Sequence, residues 1–491
     1  MNFFKLALAL FLLCPLFPSS AQGPSSSEST SRSISLVSLD TIIPITYDNN
    51  QQIAAAKYDL QAAEYAFKEF ERDLSQFTPF LFNADITRET RSFVSDATGR
   101  RTVTDYDFRT RAGVQKEFFD GSSIFGGVGY RGHHGDGGEG GNPFAETEIR
   151  FPLFSSFTTL RRITDRSFEE NQVLNTRLDY VNEVRSSVQN AQSNYFWLEV
   201  MLERVDLADA ALRDFHALED LPRAKATPAD RARVENEIQT AQSERIRFES
   251  DTNSYRVYLQ DRLGLASLSL SQVDRINLHA TDFYGRTYLE RPIEEITAEA
   301  RSTDAEVRVL ELAKKNSELK KGLAQKGKWD IFGKLSAEYD FTGAQDMSDQ
   351  NGYVVGAGID VRRIDPGLLS LSLKRAEAEI NKFDAKIRRR QQELDNFIAR
   401  EVAKIASLRA QVVELEAGVA SRRAVYEQKL SAYGEGRETM DNLVLARKTL
   451  FDTQIDLTDV LGDNYEIITD LDESTGVYFQ ALGLSIEQTH D

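Results

Sequence analysis

Cysteine is almost missing: among 491 residues the only one is Cys14. It lies in the apolar run Leu6–Phe17, behind Lys5 and ahead of Ser19-Ser20-Ala21, the arrangement of a secretory leader with small residues before its cleavage point. Residues 1–21 are therefore expected to be a signal peptide, which leaves the mature chain without a thiol. Disulfides and the usual structural zinc sites are excluded with it. Leu12 and Leu13 precede Cys14 where a lipoprotein peptidase prefers small residues, so Cys14 reads as part of the signal core and not as a lipidation site.

Long apolar runs are missing too. No later segment approaches the roughly 18 uninterrupted apolar residues of a membrane helix, so any crossing of a bilayer must use strands. A basic surplus is also lacking. With 77 Asp and Glu against 59 Lys and Arg the formal charge is −18, which argues against nucleic acid as a partner. There is no phosphate-binding glycine loop and no nucleophile motif, and the five histidines are scattered. No catalysis, cofactor or metal is expected, and His133-His134, inside the glycine-rich stretch Gly132–Asn142, reads as a solvated pair on a mobile loop.

What is present is strict alternation beside very long helices. Tyr106, Phe108, Ala112 and Val114 fall on one face of Thr104–Lys116, with Asp105, Asp107, Arg109, Arg111 and Gln115 on the other. Ile331, Gly333, Leu335, Ala337, Tyr339 and Phe341 repeat this against Asp330, Lys334, Ser336, Glu338 and Asp340. One side suits lipid and the other water, as in a transmembrane barrel strand. Six strands are expected: Phe80–Arg88, Thr104–Lys116, Ser122–Arg131, Phe144–Leu153, Trp329–Phe341 and Tyr353–Arg362. Arg91–Val103, Gly132–Asn142 and Thr342–Asn351 are expected as the loops between them.

The strands sit in two copies of one plan. After a flexible leader (22–45), the first repeat (46–264) has a helix from Asn50 to Gln76, strands within 78–153 and a helical hairpin within 158–264. Its outgoing helix, Thr158–His216, carries an apolar seam from Leu174 through Val188, Tyr195 and Leu202 to Phe215, stepping by three and four. Thr227 is expected to cap the return helix with Pro228 in its first position, and Gly264 to end it. A connector (265–291) leads to the second repeat (292–475), with helix Ile293–Lys326, strands within 329–362 and a hairpin within 368–471. Residues 476–491 are read as a tail.

This order of parts, with the tip segments Tyr433-Gly434-Glu435-Gly436-Arg437-Glu438-Thr439-Met440-Asp441-Asn442 and Ala224-Lys225-Ala226-Thr227-Pro228-Ala229-Asp230, resembles the TolC-like outer membrane efflux protein family. Phe151-Pro152-Leu153-Phe154 resembles its aromatic-Pro-Leu-Phe segment, and Asn50 stands where the family has Asn-Pro. The departures are Ala224 at the first tip, Asn442 where an aspartate is usual, no Pro-Leu-Phe segment in the second half, and four strands in the first half where two are usual. That last departure leaves four or six barrel strands per protomer open.

The resemblance implies a mixed α/β membrane protein, a homotrimer sharing one transmembrane β-barrel in outer-membrane lipid above one long α-helical periplasmic tunnel. It implies a passive exit duct of a tripartite efflux or type I secretion system, working with a periplasmic adaptor and an inner-membrane pump or ABC transporter. Asp230, Asp441 and Asn442 are the expected gate residues at the periplasmic mouth. Gly434, Gly436, Arg437 and Thr227 are the expected adaptor contacts. For Asp230, a plain helix-stabilising role is the alternative. Two other classes stay open, a periplasmic or surface coiled-coil scaffold and a substrate-specific porin or adhesin. Against the latter, the chain end Glu487–Asp491 has no terminal aromatic strand.

Overall fold

The computed structural model describes residues 36–73, 77–95, 99–118, 120–135, 138–153, 157–219, 227–279, 286–341 and 352–482. Two helices, α1 (Leu39–Asn49) and α2 (Gln51–Asp73), lead into strands β1 (Phe77–Ser95), β2 (Gly99–Glu117), β3 (Ser123–Gly135) and β4 (Gly138–Pro152). The helical hairpin α3 (Phe157–Glu219) and α4 (Pro228–Arg262) follows, and then the short α5 (Arg286–Glu290). The second repeat runs α6 (Ile293–Thr303), α7 (Ala305–Lys326), β5 (Trp329–Asp340), β6 (Gly352–Arg363), α8 (Pro366–Gly434) and α9 (Met440–Thr475), with α10 (Val477–Leu482) after it.

All six strands form one antiparallel meander in the order β1-β2-β3-β4-β5-β6. The two repeats meet at β4–β5, where Glu146 is paired with Glu338. Two expected loops prove to be strand. β1 runs on to Ser95 and β2 begins at Gly99, while β3 runs to Gly135 and β4 begins at Gly138. The hairpin tops therefore form steps, 19 residues for β1 and β2 but 12 for β5 and β6. His133 and His134 belong to β3, opposite Asp107 and Tyr106. The expected loop 342–351 lies outside the described residues.

The long helices form because nothing in them breaks one. α3 contains neither proline nor glycine in 63 residues, and α8 runs for 69. At 1.5 Å per residue they reach about 95 and 104 Å. Val184, Val188, Ala191, Tyr195 and Leu198 of the α3 seam are fully buried, as are Ile398 and Ile405 of α8. α9 packs on both α8 and α3 and so joins the hairpins. Phe196 of α3 stacks on Tyr465 of α9 with centroids 4.5 Å apart. Gly462 of α9 admits the Trp197 ring, which a Cβ there would meet at 2.9 Å.

Other boundaries are corrected. The expected leader is helical from Leu39, and Val37 is fully buried, bridged in parallel to Val273 of the connector. Residues 293–326 are two helices, because Asp304 leaves the helical conformation and caps the second by accepting from Val307 N at 2.7 Å. The expected tail begins with α10, whose Tyr478 is buried.

Candidate functional site

The sheet has two unlike faces. On one lie Phe82, Phe108, Val114, Val128, Ile149, Leu335, Val355 and Ile359, all exposed, with Val355 at 78% and Ile359 at 68%. Exposed apolar side chains in such a continuous field mark an interaction surface. The opposite face carries charge. Arg109 of β2 pairs with Glu338 of β5 at 2.7 Å and with Glu146 of β4 at 3.1 Å, Arg131 pairs with Glu338 at 2.5 Å, and Lys334 with Glu148 at 2.8 Å. β2 and β5 stand about 14 Å apart in a flat sheet, so the Arg109–Glu338 contact requires the sheet to curl towards this face. The curl buries Glu146 and Phe144 and sets the Arg109 guanidinium 4.8 Å from the Phe144 ring centroid. Gly129 stands opposite Phe144, and a Cβ there would lie 2.4 Å from that ring.

The strands are also inclined. Cross-strand partners lead from Phe77 through Lys116, Ile124, Ile149 and Leu335 to Ala357, six residues before Arg363 at the end of β6. Phe77 and Arg363 both adjoin the helical part of the chain, so this offset measures the slant of the strands. About 20 Å over five steps totalling about 24 Å is a tilt of about 40°. Transmembrane barrel strands tilt by about 35–45°. Trp329 and Tyr339 mark the lower and upper ends of the apolar face on β5; ten residues at that tilt span about 26 Å, against an apolar band of about 25 Å in outer-membrane barrels.

The segment Phe151-Pro152-Leu153 closes the sheet at its helical end. The Phe151 ring covers Gly333, where a Cβ would meet it at 2.6 Å. Pro152, which has no N–H, is the last residue of β4, and Leu153 N donates to Ile331 O at 2.8 Å.

At the far end, the expected tip residues are brought together in two groups. Thr227 Oγ1 accepts from Asp230 N at 3.2 Å, and Asp230 Oδ2 accepts from Thr227 N and Oγ1, both at 2.7 Å. Asp230 is thus half of a capping box. Asp441 faces the other hairpin and pairs with Arg233 of α4 at 3.1 Å. Thr439 caps α9, and Asn442 Nδ2 donates to Glu438 Oε1 at 2.7 Å. This bond and that from Thr439 N hold the Glu438 carboxyl below its usual range. Gly436 has φ +77°, a left-handed turn that glycine adopts without strain. Gly434 ends α8, and a Cβ there would meet nothing within 4 Å. Arg437 is exposed beside Glu435. Residues 220–226 of the first tip lie outside the described residues.

Sequence reasoning missed the links between the hairpins, of which two stand nearest the tips. One is Arg233 with Asp441. The other is Arg447 of α9, buried, whose Nε donates to Asp214 of α3 at 2.6 Å between the rings of Phe215 and Tyr426. No motif announces either, because both join residues over two hundred positions apart in the chain.

Between sheet and tips lies a waist where the connector folds onto α3 and α9. Tyr195 OH donates to Asp274 O at 2.6 Å and Tyr465 OH to Leu278 O at 3.1 Å. Burial pushes the Glu199 carboxyl up to about 7 although Arg275 lies 3.0 Å away. The hydrogen bond to Glu203 at 2.8 Å raises His279. Burial also lifts Asp472, which accepts from Tyr288 OH, to about 6. Among the described residues no cluster of ligating side chains could hold a metal ion, and no helix is long and apolar enough to cross a membrane.

No protein-family model and no curated protein matches the sequence. Solved structures do. The outer-membrane channel OprN aligns at TM-score 0.60 with 14% identity, over 89% of this chain and 89% of its own. The outer membrane protein VceC of Vibrio cholerae aligns at 0.59 and 14%, over 91% of this chain and 96% of its own. The open state of the Neisseria gonorrhoeae MtrE outer membrane channel aligns at 0.59 and 13%, over 89% and 88%. The chain therefore has the fold of the outer-membrane channels, the fold that the resemblance to the TolC-like proteins implies.

Proposed function

We propose that this chain is the outer-membrane exit duct of a tripartite efflux or type I secretion system, a passive conduit for small molecules or proteins in a Gram-negative-type envelope. One observation carries the reading: a sheet with an exposed apolar face about one bilayer tall and strands tilted by about 40° continues into helices about 100 Å long. The sheet suits the outer membrane and the helices suit the periplasm. Two bare edges, β1 and β6, cannot face lipid, so the sheet needs further copies of itself, and a homotrimer supplies them. A periplasmic adaptor and an inner-membrane pump or ABC transporter would then supply energy, since the duct consumes none.

In that trimer Asp230, Asp441 and Asn442 recur around the mouth as a gate, and Gly434, Gly436, Arg437 and Thr227 offer contacts to the adaptor. Gly434 supports this role most directly, because its own chain places nothing where a side chain would go. The test is extraction of the mature protein in detergent. It is expected as a trimer from outer-membrane fractions that conducts ions in planar bilayers, with lower cation selectivity after Asp230→Ala and Asp441→Ala together. A soluble periplasmic monomer would instead make the protein a coiled-coil scaffold.

A further inference from the structure

The six-stranded sheet sets the width of the pore. Its exposed apolar row runs unbroken from Phe82 of β1 through Phe108, Val128, Ile149 and Leu335 to Val355 of β6. A hairpin outside the barrel has no reason to present that row, so β1 and β2 are built as wall. Charge on the opposite face ties them in, because Arg109 and Arg111 of β2 reach Glu146 and Glu338 on β4 and β5. Each chain therefore contributes six strands and not four.

Six is even, so β1 and β6 run in opposite directions and copies joined edge to edge stay antiparallel throughout. We propose that β6 of one copy pairs with β1 of the next and that three copies of the six-stranded sheet close an eighteen-stranded barrel. This rests on the duct reading above. At a strand spacing of about 4.8 Å and a tilt of about 40°, eighteen strands enclose about 36 Å between backbones, and twelve would enclose about 24 Å. The Arg, Glu and Phe side chains of the inner face lie against the wall, as the burial of Glu146 and Phe144 records. The outer half of the duct then admits solutes about 20 Å across, the size of a small folded polypeptide.

The register across the new seam follows from the slant. Partners climb six residues from Phe77 to Ala357 over five steps. One further step at the same pitch sets Ala357 opposite about Ala84 of the next copy. Both residues belong to the apolar row, and a directly opposed pair in antiparallel strands is close enough for a disulfide.

The single cysteine of the sequence, Cys14, lies in the expected signal peptide, so the seam can be mapped in the processed protein in its own membrane. Ala84→Cys is combined in turn with Val355→Cys, Ala357→Cys and Ile359→Cys, and the membranes are oxidised. A ladder of covalent dimer and trimer from the Ala357 pair or an immediate neighbour is the expected result. Val128→Cys on β3, combined with the same three β6 positions, is expected to stay monomeric. In planar bilayers, a polyethylene glycol about 20 Å across added on the barrel side should enter and lower the current. Trimers that cross-link through Val128 and exclude that polymer would overturn the eighteen-stranded barrel and leave the duct reading standing. Absence of any trimer from the outer membrane would overturn both.

Discussion

Asn50 Nδ2 donates to the carbonyl of Arg262 at 2.8 Å, tying the start of α2 to the last turn of α4. Its Oδ1 meanwhile accepts from Gln52 N and Ile53 N at 2.8 and 3.2 Å, so one side chain caps one helix and satisfies the end of another. Gly264 completes the joint with φ +65°, and a Cβ there would lie 2.2 Å from Asn49 O. Asn50→Ala removes a cap and leaves the part-buried Arg262 carbonyl without this partner, which costs about 2 kcal/mol. Gly264→Ala adds a clash with backbone to an unfavourable φ and costs at least as much. Denaturant unfolding followed by helical circular dichroism in detergent should show both losses. An unchanged midpoint for Asn50→Ala would mean that the joint is held by packing alone.

The mouth pair behaves differently. Arg233 and Asp441 are both about half exposed, so solvent screens their attraction and the coupling is expected below about 1 kcal/mol. A double-mutant cycle with Arg233→Ala and Asp441→Ala should return that small value for stability. It should also raise the fraction of time the channel is open, since the pair links one hairpin tip to the other. Open times identical to the parent's would place the closing contacts elsewhere, with the buried Arg447 and Asp214 as the next pair to change.

The waist should loosen as pH rises. Asp472 and Glu199 hold their protons up to about 6 and about 7, against 3.8 and 4.5 for free carboxyls. The folded state therefore binds protons more tightly than the unfolded chain, and each group's contribution is lost as pH climbs from about 4 to 7. His279 acts in the same direction, since its raised pKa gives stability below the unfolded value of 6.5 that disappears as pH passes the folded one. Asp472→Asn should be more stable than the parent at pH 8, by on the order of 2 kcal/mol, and equal to it at pH 4. Parallel stability curves for the two proteins across this range would show that Asp472 ionises freely when folded.

The apolar face can be tested by charge. Leu335→Arg puts a guanidinium midway up β5 on the exposed apolar face and, if that face meets lipid, should cost about 2–4 kcal/mol of membrane insertion. Ser336→Arg, one residue on and facing the other way, should be tolerated. Outer-membrane yield and resistance of the folded trimer to mild detergent are the readouts. Equal yields would deny that this face meets lipid.

The sequence displays the wall where the rule that writes it is strict. In Thr104–Lys116 and Trp329–Phe341 apolar residues alternate with polar ones because the sheet has one exposed apolar face and one charged face. The upper parts of β1, β2, β3 and β4 lack the alternation in the sequence and so read as polar or glycine-rich loop. Gly132 is strand because the Phe108 ring lies over it, and a Cβ there would meet that ring at 2.0 Å. Thr227 and Gly264 were legible, since capping is a local matter of hydrogen bonds and φ angle. Asp304 was not read, although Ser302-Thr303-Asp304 is a run of residues that favour caps: one helix was expected across residues 293–326. The partnerships of Asp441 with Arg233 and Arg447 with Asp214 depend on two helices lying side by side, a distance no local pattern encodes.

Because α3 and α8 run unbroken from the sheet to the tips, each is a lever pivoted at the waist. A rod extending about 36 Å beyond its fulcrum, as α3 does from Tyr195 to Glu219, moves its end by about 3 Å for every 5° of swing. If the tips close the duct as proposed above, such arms could part with almost no deformation along their shafts, against bonds as weak as that between Arg233 and Asp441. Under that reading, wide travel at the tips would leave the sheet nearly stationary.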